Sequence, residues 1–416
     1  MQTSLLPHLL ETTSGQRADA ILRKCVHCGF CTATCPTYQL LGDELDGPRG
    51  RIYQIKQMFE GQQPDRELLT HLDRCLTCRS CETTCPSGVE YAELADIGRH
   101  YIEEQGIRPL PQRLIRQLLG AILPYRLRHH LLFRLGSLFR PLLPAALRDK
   151  APVIRSAHSY PRPQTNAQKR VLLLAGCAQS TLSPNTNSAA TLLLQTLGYE
   201  VIYEPQPSCC GAVNHHLNQS QQTAQWIKRN LRQWQQLEQQ KPIDAIVSSA
   251  SGCGILLKDY PKVIKQLGLD IDEEQSQLLT RIRDISELLD ADTLQHHLPG
   301  FSTRDQAVAY HAPCTLTHGH RLADHLLQQL SSLGYQISVP RDAHLCCGSA
   351  GTYSLLQPEI STQLRQNKLQ ALNASSPDLI ITANVGCEHH LNSAGDTPVI
   401  HWVELLANDI ERCMTA

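Results

Sequence analysis

The hydrophobic rhythm of the chain changes along its length. Residues 1–24, and the stretches Arg51 to Phe59 and Glu67 to Leu72, carry apolar side chains at the three- and four-residue spacing of helices with one buried face. The run LLGAILPYRLRHHLLFRLGSLFRPLL, within 105–168, has helical spacing again but mixes basic with bulky apolar residues. From Lys169 onward short apolar runs such as VLLLAGC and IDAIVSSASGC alternate with longer polar–apolar stretches such as 185–197 and 219–238. That alternation predicts α/β units around a parallel sheet. The expected fold is therefore α plus α/β. A helical region spans 1–104, a basic amphipathic linker 105–168, and two α/β halves 169–300 and 301–416.

The two halves read as a duplication. VLLLAGC ends at Cys177 and VAYHAPC at Cys314, and in each half 31 residues separate that cysteine from a Cys-Cys-Gly, at Cys209-Cys210-Gly211 and Cys346-Cys347-Gly348. Leu-Gly-Tyr precedes each, at Leu197-Gly198-Tyr199 and Leu333-Gly334-Tyr335. Each half closes on an apolar run ending in Gly-Cys, at Cys253 and Cys387. Strand candidates thus lead into Cys177, Cys253, Cys314 and Cys387, and sites in parallel sheets gather at the C-terminal ends of strands.

Composition sharpens this picture in one respect. The chain has 416 residues, enough for two or three packed domains, and a net charge of -1, so no global field invites nucleic acid. Its 17 cysteines are too many for an ordinary intracellular chain of this size. The opening MQTSLLPHLLETTSGQR does not read as a signal peptide, and no apolar run reaches the roughly 18 residues of a membrane span. Reduced cysteines in such number point to metal or redox chemistry.

Two runs follow C-x2-C-x2-C-x3-C-P without deviation: Cys25, Cys28, Cys31, Cys35-Pro36, and Cys75, Cys78, Cys81, Cys85-Pro86. Two-residue spacers let a tight loop point three sulfurs at one [4Fe–4S] cluster, while the fourth cysteine, before proline, starts a helix and serves the other cluster. The expected sets are Cys25, Cys28, Cys31 and Cys85 for one cluster, and Cys75, Cys78, Cys81 and Cys35 for the other. Zinc uses two separated pairs and does not explain a third cysteine at the same spacing or the repeat of the whole run. The spacing of Cys177, Cys209, Cys210 and Cys253, and of Cys314, Cys346, Cys347 and Cys387, predicts a further metal or cluster in at least one half, without fixing its type. Adjacent cysteines can face one centre if the backbone turns sharply, which the following glycine permits. His27, His311, His318, His344, His389 and His390 stand near the motifs as candidate ligands or proton carriers, although a lone histidine is more often a satisfied polar residue. Cys413 fits no pattern.

Neither G-x-G-x-x-G nor G-x-x-x-x-G-K-[ST] occurs. Hydride removal from an organic substrate is flavin or nicotinamide work, whereas a cluster takes one electron. The sequence therefore predicts electrons received from a partner and passed on singly. Between Arg108 and Lys150 nine Lys/Arg face one acid, Asp149. Such a segment suits anionic lipid or a partner's groove, and it equally suits a basic helical linker packed on its own protein.

The combination resembles one family, the iron–sulfur subunits of bacterial glycolate oxidase (glycolate dehydrogenase). The passages that carry it are CVHCGFCTATCPTYQLLGDELDGPRGRIY, LDRCLTCRSCETTCPSG, GCAQSTLSPNTN, SCCGAVNHHLN, SASGCG, HLCCGSAGTY and TANVGC. The resemblance implies an α-helical ferredoxin-type fold for 1–104 and a complex with two flavin-domain subunits, FAD lying on the partner. It implies glycolate oxidation to glyoxylate there, and electron passage through this chain toward a quinone or similar acceptor. It places the chain in the cytoplasm, peripheral on the inner membrane. Equivalent subunits for lactate or glycerol 3-phosphate, or a heterodisulfide-reductase-like enzyme acting at the Cys-Cys-Gly sites, share the pattern. In the related reductase each half ends in C-x-x-C; here the earlier position is Ala250 or Asn384.

Overall fold

In a computed structural model, residues 1–138, 157–163, 167 and 169–415 are described, so much of the basic linker, including 139–156, lies outside the described residues. The chain forms two units. One comprises Met1–Leu119, His216–Asn218 and His344–Lys368; the other comprises Gly120–His215, Gln219–Ala343 and Leu369–Ala416.

The first unit is helical for reasons its sequence supplies. Thr12 caps the helix Thr13–Lys24 by accepting from the Gly15 N–H, and Asp65 caps Arg66–Asp73 by accepting from Leu68. Proline sits in the first turn of Pro36–Leu41 and Pro48–Phe59, where its missing N–H costs nothing. Ile21, Leu22, Ile55, Met58, Leu72, Leu94 and Ile102 meet in one core, and Cys25 and Cys81 lie within it. A side chain at Gly15 would meet the Leu9 carbonyl oxygen at 1.9 Å, so only glycine lets the lead-in helices approach. The two cysteine–proline junctions differ from expectation in one place. Pro36 opens a helix, but Pro86 opens only a turn, because Gly88 turns left-handed at φ +62° and the next helix waits until Tyr91–Glu104.

The second unit holds two four-stranded sheets. β1 (Lys169–Leu174), β2 (Tyr199–Ile202), β3 (Ala245–Ser248) and β4 (Ile282–Asp284) lie in the order β2-β1-β3-β4. β5 (Val308–Tyr310), β6 (Ile337–Ser338), β7 (Leu379–Thr382) and β8 (Val399–His401) repeat it as β6-β5-β7-β8. Every pairing is parallel, as helical crossovers require. Side chains alternate along β1: Val171 and Leu173 enter one core and Leu172 another. The first of these cores belongs to both halves at once. Ala189 and Leu193 of helix Pro184–Thr196 pack in it with Trp402, Leu406 and Ile410 of helix Trp402–Thr415. Hydrogen bonds cross between the halves from the Ser251 N–H to the Ala383 carbonyl (3.1 Å) and from Ser183 Oγ to Glu388 (2.9 Å). In each sheet the chain reverses its winding between the two central strands, and a crevice opens at their C-terminal ends.

One buried ionic group in the first unit fixes where the linker starts. Arg108 donates to Asp73 (2.5 Å) and Glu103 (2.7 Å), and Arg116 pairs with Asp73 at 2.9 Å. Burial alone would push the Asp73 carboxyl up, but the Arg108 hydrogen bond and the Arg116 charge hold it below the usual carboxylate range. Asp73→Ala takes the carboxylate from Arg116 and leaves Arg108 with Glu103 alone, and should cost about 3 kcal/mol, read as a lowered urea midpoint under anaerobic conditions. Because the folded-state value is depressed, this contribution is complete above the ordinary aspartate range near about pH 4 and disappears as pH falls through the lowered range. Equal pH profiles for the parent and the variant would contradict the assignment.

Candidate metal centres

The eight thiols of the first unit gather in two groups. Around Cys31 stand Cys25, Cys85 and Cys28, whose charges add to burial in pushing the Cys31 thiol up to about 11. Around Cys81 stand Cys78, Cys75 and Cys35, again with burial as the larger cause of a raised value. On each side the fourth cysteine of one run is close enough for its charge to be felt in the other: Cys85 at Cys31, and Cys35 at Cys81.

The backbone shows how the runs curl. His27 and Gly29 in the first run have φ of +55° and +85°; at the equivalent places in the second, Thr77 and Arg79 have +52° and +63°. Left-handed backbone at a β-branched threonine is costly, on the order of 1–3 kcal/mol. It is held there by Arg99, which donates to Thr77 Oγ1 at 2.7 Å, while the Thr77 N–H donates to Cys75 Sγ at 3.4 Å. A recess of about 420 Å³ is lined by Cys25, Cys28, Cys31, Cys81 and Cys85.

These residues fit iron–sulfur clusters. Thiolates are the ligands such clusters take, and the sulfides of a cluster accept hydrogen bonds. Buried donors stand ready for them: among the described residues Ser80 Oγ and His27 Nε2 have no hydrogen-bond partner, and the Tyr91 hydroxyl has none beyond the facing Cys75 thiol. Burial lowers His27, which favours its neutral form.

In the second unit the first Cys-Cys-Gly set is brought together at the crevice. Cys177 follows β1, and its Sγ lies 3.5 Å from that of Cys209. Cys253 sits in the first turn of helix Ser251–Gln266, directly after β3. Gly211 takes φ +88°, and its N–H donates back to Cys209 Sγ at 3.3 Å. Asn230 holds the Cys209 carbonyl (2.9 Å), and the Tyr260 hydroxyl holds that of Cys210 (2.8 Å). Hydrogen bonding to Cys177 and Cys210, then burial, raises the Cys209 thiol well above its ordinary value, and a hydrogen bond with Cys210 does the same for Cys253. A recess of about 350 Å³ is lined by Cys209, Cys210, Cys253 and Glu204. Burial pushes the Glu204 carboxyl up despite bonds from Trp234 and Ser208. An all-sulfur set of this kind selects zinc or iron–sulfur chemistry.

The second set is divided. Cys346 and Cys347 belong to the first unit, Cys314 and Cys387 to the second. The turn itself is the same: Gly348 has φ +89°, and its N–H donates to Cys346 Sγ at 3.4 Å. Asn384, at the position where the related reductase has cysteine, donates to Cys387 Sγ (3.4 Å) and accepts from the Gly252 N–H (3.3 Å). His311 bonds Thr382 Oγ1 at 3.0 Å and offers a ring nitrogen within 4.8 Å of the Cys387 thiol. His318 is buried, His389 bonds Ser183 at 3.2 Å, and His344 and His390 are half-buried. The Cys413 thiol packs against Gly300.

Sequence reasoning missed Arg51, Arg99, Tyr91 and Glu204. A signal existed for the first two. Arg51 stands at helical spacing with Ile55 and Phe59, and Arg99 with Ala95 and Ile102, so each places a charge on a buried face.

Comparison with known families agrees with this architecture. The 4Fe-4S dicluster domain family matches residues 21–89, and the cysteine-rich domain family matches residues 171–258 and 308–392. A helical dicluster module followed by duplicated cysteine-rich α/β domains defines an iron–sulfur protein. The glycolate oxidase iron-sulfur subunit of Escherichia coli (strain K12) is 45% identical over 413 residues, 99% of this chain and 100% of that one. The probable glycolate oxidase iron-sulfur subunit of Bacillus subtilis (strain 168) is 30% identical over 88% of this chain and 87% of its own. Lactate utilization protein A of an Exiguobacterium species is 24% identical over 52% of this chain and 86% of its own. The chain belongs to the family of glycolate oxidase iron–sulfur subunits.

The two Cys-Cys-Gly glycines separate backbone strain from crowding. A Cβ at Gly211 would meet nothing closer than 3.4 Å, whereas at Gly348 it would meet the Ser361 carbonyl oxygen at 2.6 Å. Gly211→Ala should cost roughly 1 kcal/mol for its left-handed φ, and Gly348→Ala clearly more. Anaerobic chemical denaturation of the two variants side by side measures the difference, and equal losses would contradict it.

Proposed function

We propose that this chain is the electron-transfer subunit of a flavin-dependent glycolate dehydrogenase complex. The observation that carries the reading is the gathering of eight thiols into two groups within one unit, in a chain 45% identical to a glycolate oxidase iron-sulfur subunit over its whole length. On this reading Cys25, Cys28, Cys31 and Cys85 hold one [4Fe–4S] cluster, and Cys75, Cys78, Cys81 and Cys35 hold the other. The clusters supply one-electron acceptance. Glycolate loses two electrons and two protons to FAD on a partner subunit, forming glyoxylate. This chain takes the electrons singly and passes them toward a quinone or similar acceptor. The much lower identity to the lactate protein favours glycolate over lactate.

Cys177, Cys209, Cys210 and Cys253 form a third centre on this reading. Hydrogen bonding and burial make Cys209 and Cys253 poor acids alone, so a bound metal would displace their protons. Cys314, Cys346, Cys347 and Cys387 repeat the pattern in the other half.

Anaerobic purification with iron and sulfide counts should give about twelve iron atoms, four per cluster of this type. About eight would remove the third centre, and zinc without sulfide would overturn the whole reading. Cys78→Ser should lose about four irons and block acceptor reduction, while substrate still reduces the partner's flavin. Acceptor reduction at full rate in that variant would sink the wire.

We also propose peripheral membrane contact through the basic helices. Among the described residues no helix is long and apolar enough to cross a membrane. Helix Arg126–Leu138 exposes Leu127 at 84% and Leu131 at 60% beside Arg126, Arg128 and Arg134. Exposed leucines beside cations suit an anionic lipid surface. Leu127→Glu with Leu131→Glu should abolish co-flotation with anionic liposomes; unchanged flotation would contradict this.

A further inference from the structure

We propose that Arg51 and Arg99 set the Cys35/Cys75/Cys78/Cys81 cluster at a higher reduction potential than its Cys25/Cys28/Cys31/Cys85 neighbour, which gives the pair a direction. The inference rests on the ligand sets proposed above. An electron leaves the Cys31 side, oxidising that cluster, and reduces the cluster on the Cys75 side.

Cluster potentials follow net charge, hydrogen bonds to sulfur and solvent exposure. Buried positive charge and the hydrogen bonds it anchors favour the Cys75 side. Arg51 is 1% exposed; its Nη1 donates to Thr37 Oγ1 (3.1 Å), which stands 3.3 Å from Cys35 Sγ. Arg99 is 7% exposed and wraps the loop from below, donating to the Cys75 carbonyl at 2.6 Å and to Thr77 at 2.7 Å. Each guanidinium reaches a sulfur of this group through one residue: Arg51 through Thr37 to Cys35, and Arg99 through Thr77, whose N–H donates to Cys75 Sγ at 3.4 Å.

Counter-charges do not cancel the difference. Asp46 pairs with Arg51 at 3.2 Å but is shared with Arg74 at 2.8 Å and His71 at 3.0 Å. Asp96 stands 3.9 Å from Arg99, a loose pair, and the one Glu82 carboxylate, which accepts from the Ala92 N–H at 2.7 Å, stands against two interior guanidinium groups. The cations near the Cys31 side are wetter. The Met1 ammonium bonds the Cys25 carbonyl at 2.7 Å in a part-buried position, and Arg49, 38% exposed, is spent on Glu44. Water screens such charges far more than it screens guanidinium groups in the interior.

The surroundings give the direction a start and an end. Cys28 is exposed between Val26 at 66% and Phe30 at 60%, so the lower-potential side meets solvent through an apolar rim. On the other side, still within the first unit, the Tyr353 hydroxyl donates to the Arg74 carbonyl at 2.9 Å and feels the charges of both Cys75 and Cys346. The Cys346-Cys347 turn thus follows the higher-potential cluster.

The test is an EPR-monitored redox titration of the loaded chain. Arg99→Gln should lower the midpoint of one cluster signal and leave the other. The equilibrium for electron exchange between the clusters should move at least tenfold, about 59 mV for a one-electron couple. Arg99→Lys should restore most of it, and Asp96→Asn, which removes a counter-charge, should move the same signal upward. Unmoved midpoints in Arg99→Gln protein with the parent's iron and sulfide content overturn the proposal. If Arg99→Gln loses its clusters, the Asp96→Asn titration decides, and an unmoved midpoint there overturns it. Absence of iron from the parent chain would instead remove the ligand reading beneath it.

Discussion

Thiolates cannot crowd together in a protein interior unless positive charge holds them there. That constraint organises the first unit. Eight sulfurs stand in two groups, and burial with mutual repulsion pushes the Cys31 and Cys81 thiols toward the protonated form. A cluster relieves this, and two interior arginines relieve it unequally. The architecture around the cysteines can be read as the set of devices that makes such crowding tolerable: left-handed turns at His27 and Gly29 and at Thr77 and Arg79, donors at Ser80 and Tyr91, and cations at Arg51 and Arg99.

The strain in these loops is supported from outside them. Thr77 keeps an unfavourable backbone because Arg99 grips its hydroxyl, and Arg99 is itself anchored on the carbonyls of Leu72 and Cys75. The residue that orders the loop is therefore also a residue that biases its electrostatics. Asp46 plays a related part, tying Arg51, His71 and Arg74 beneath Cys35. The relatives that match the chain over most of its length are named as glycolate oxidase iron-sulfur subunits.

The second unit solves a different problem. A β-strand, a sharp glycine turn and a helix N-terminus converge on one crevice, and the duplication builds that crevice twice around a shared apolar core. In that core helices Pro184–Thr196 and Trp402–Thr415 bury each other's faces. The crevice of the first half is all sulfur with a neutral-leaning glutamic acid. The second half repeats the turn at Cys346-Cys347-Gly348, with Gly348 at φ +89°.

What the sequence determined by itself is local or periodic. The C-x2-C-x2-C-x3-C runs, the Cys-Cys-Gly repeat at equal intervals and the strand–helix alternation are short-range patterns, because the geometry that needs them spans a few residues. Helices near 185–197 and 219–238 appear as Pro184–Thr196 and Ser220–Gln240 for the same reason. Proline after Cys85 misled, since the left-handed Gly88 two residues on outweighs it. Only the tertiary structure decided which buried charges face the thiols. Arg51 and Arg99 lie 24 residues on either side of Cys75, the thiol both of them influence. Their spacing on apolar helix faces marked them as unusual, but a charge's effect depends on distance and solvent, and folding alone sets both.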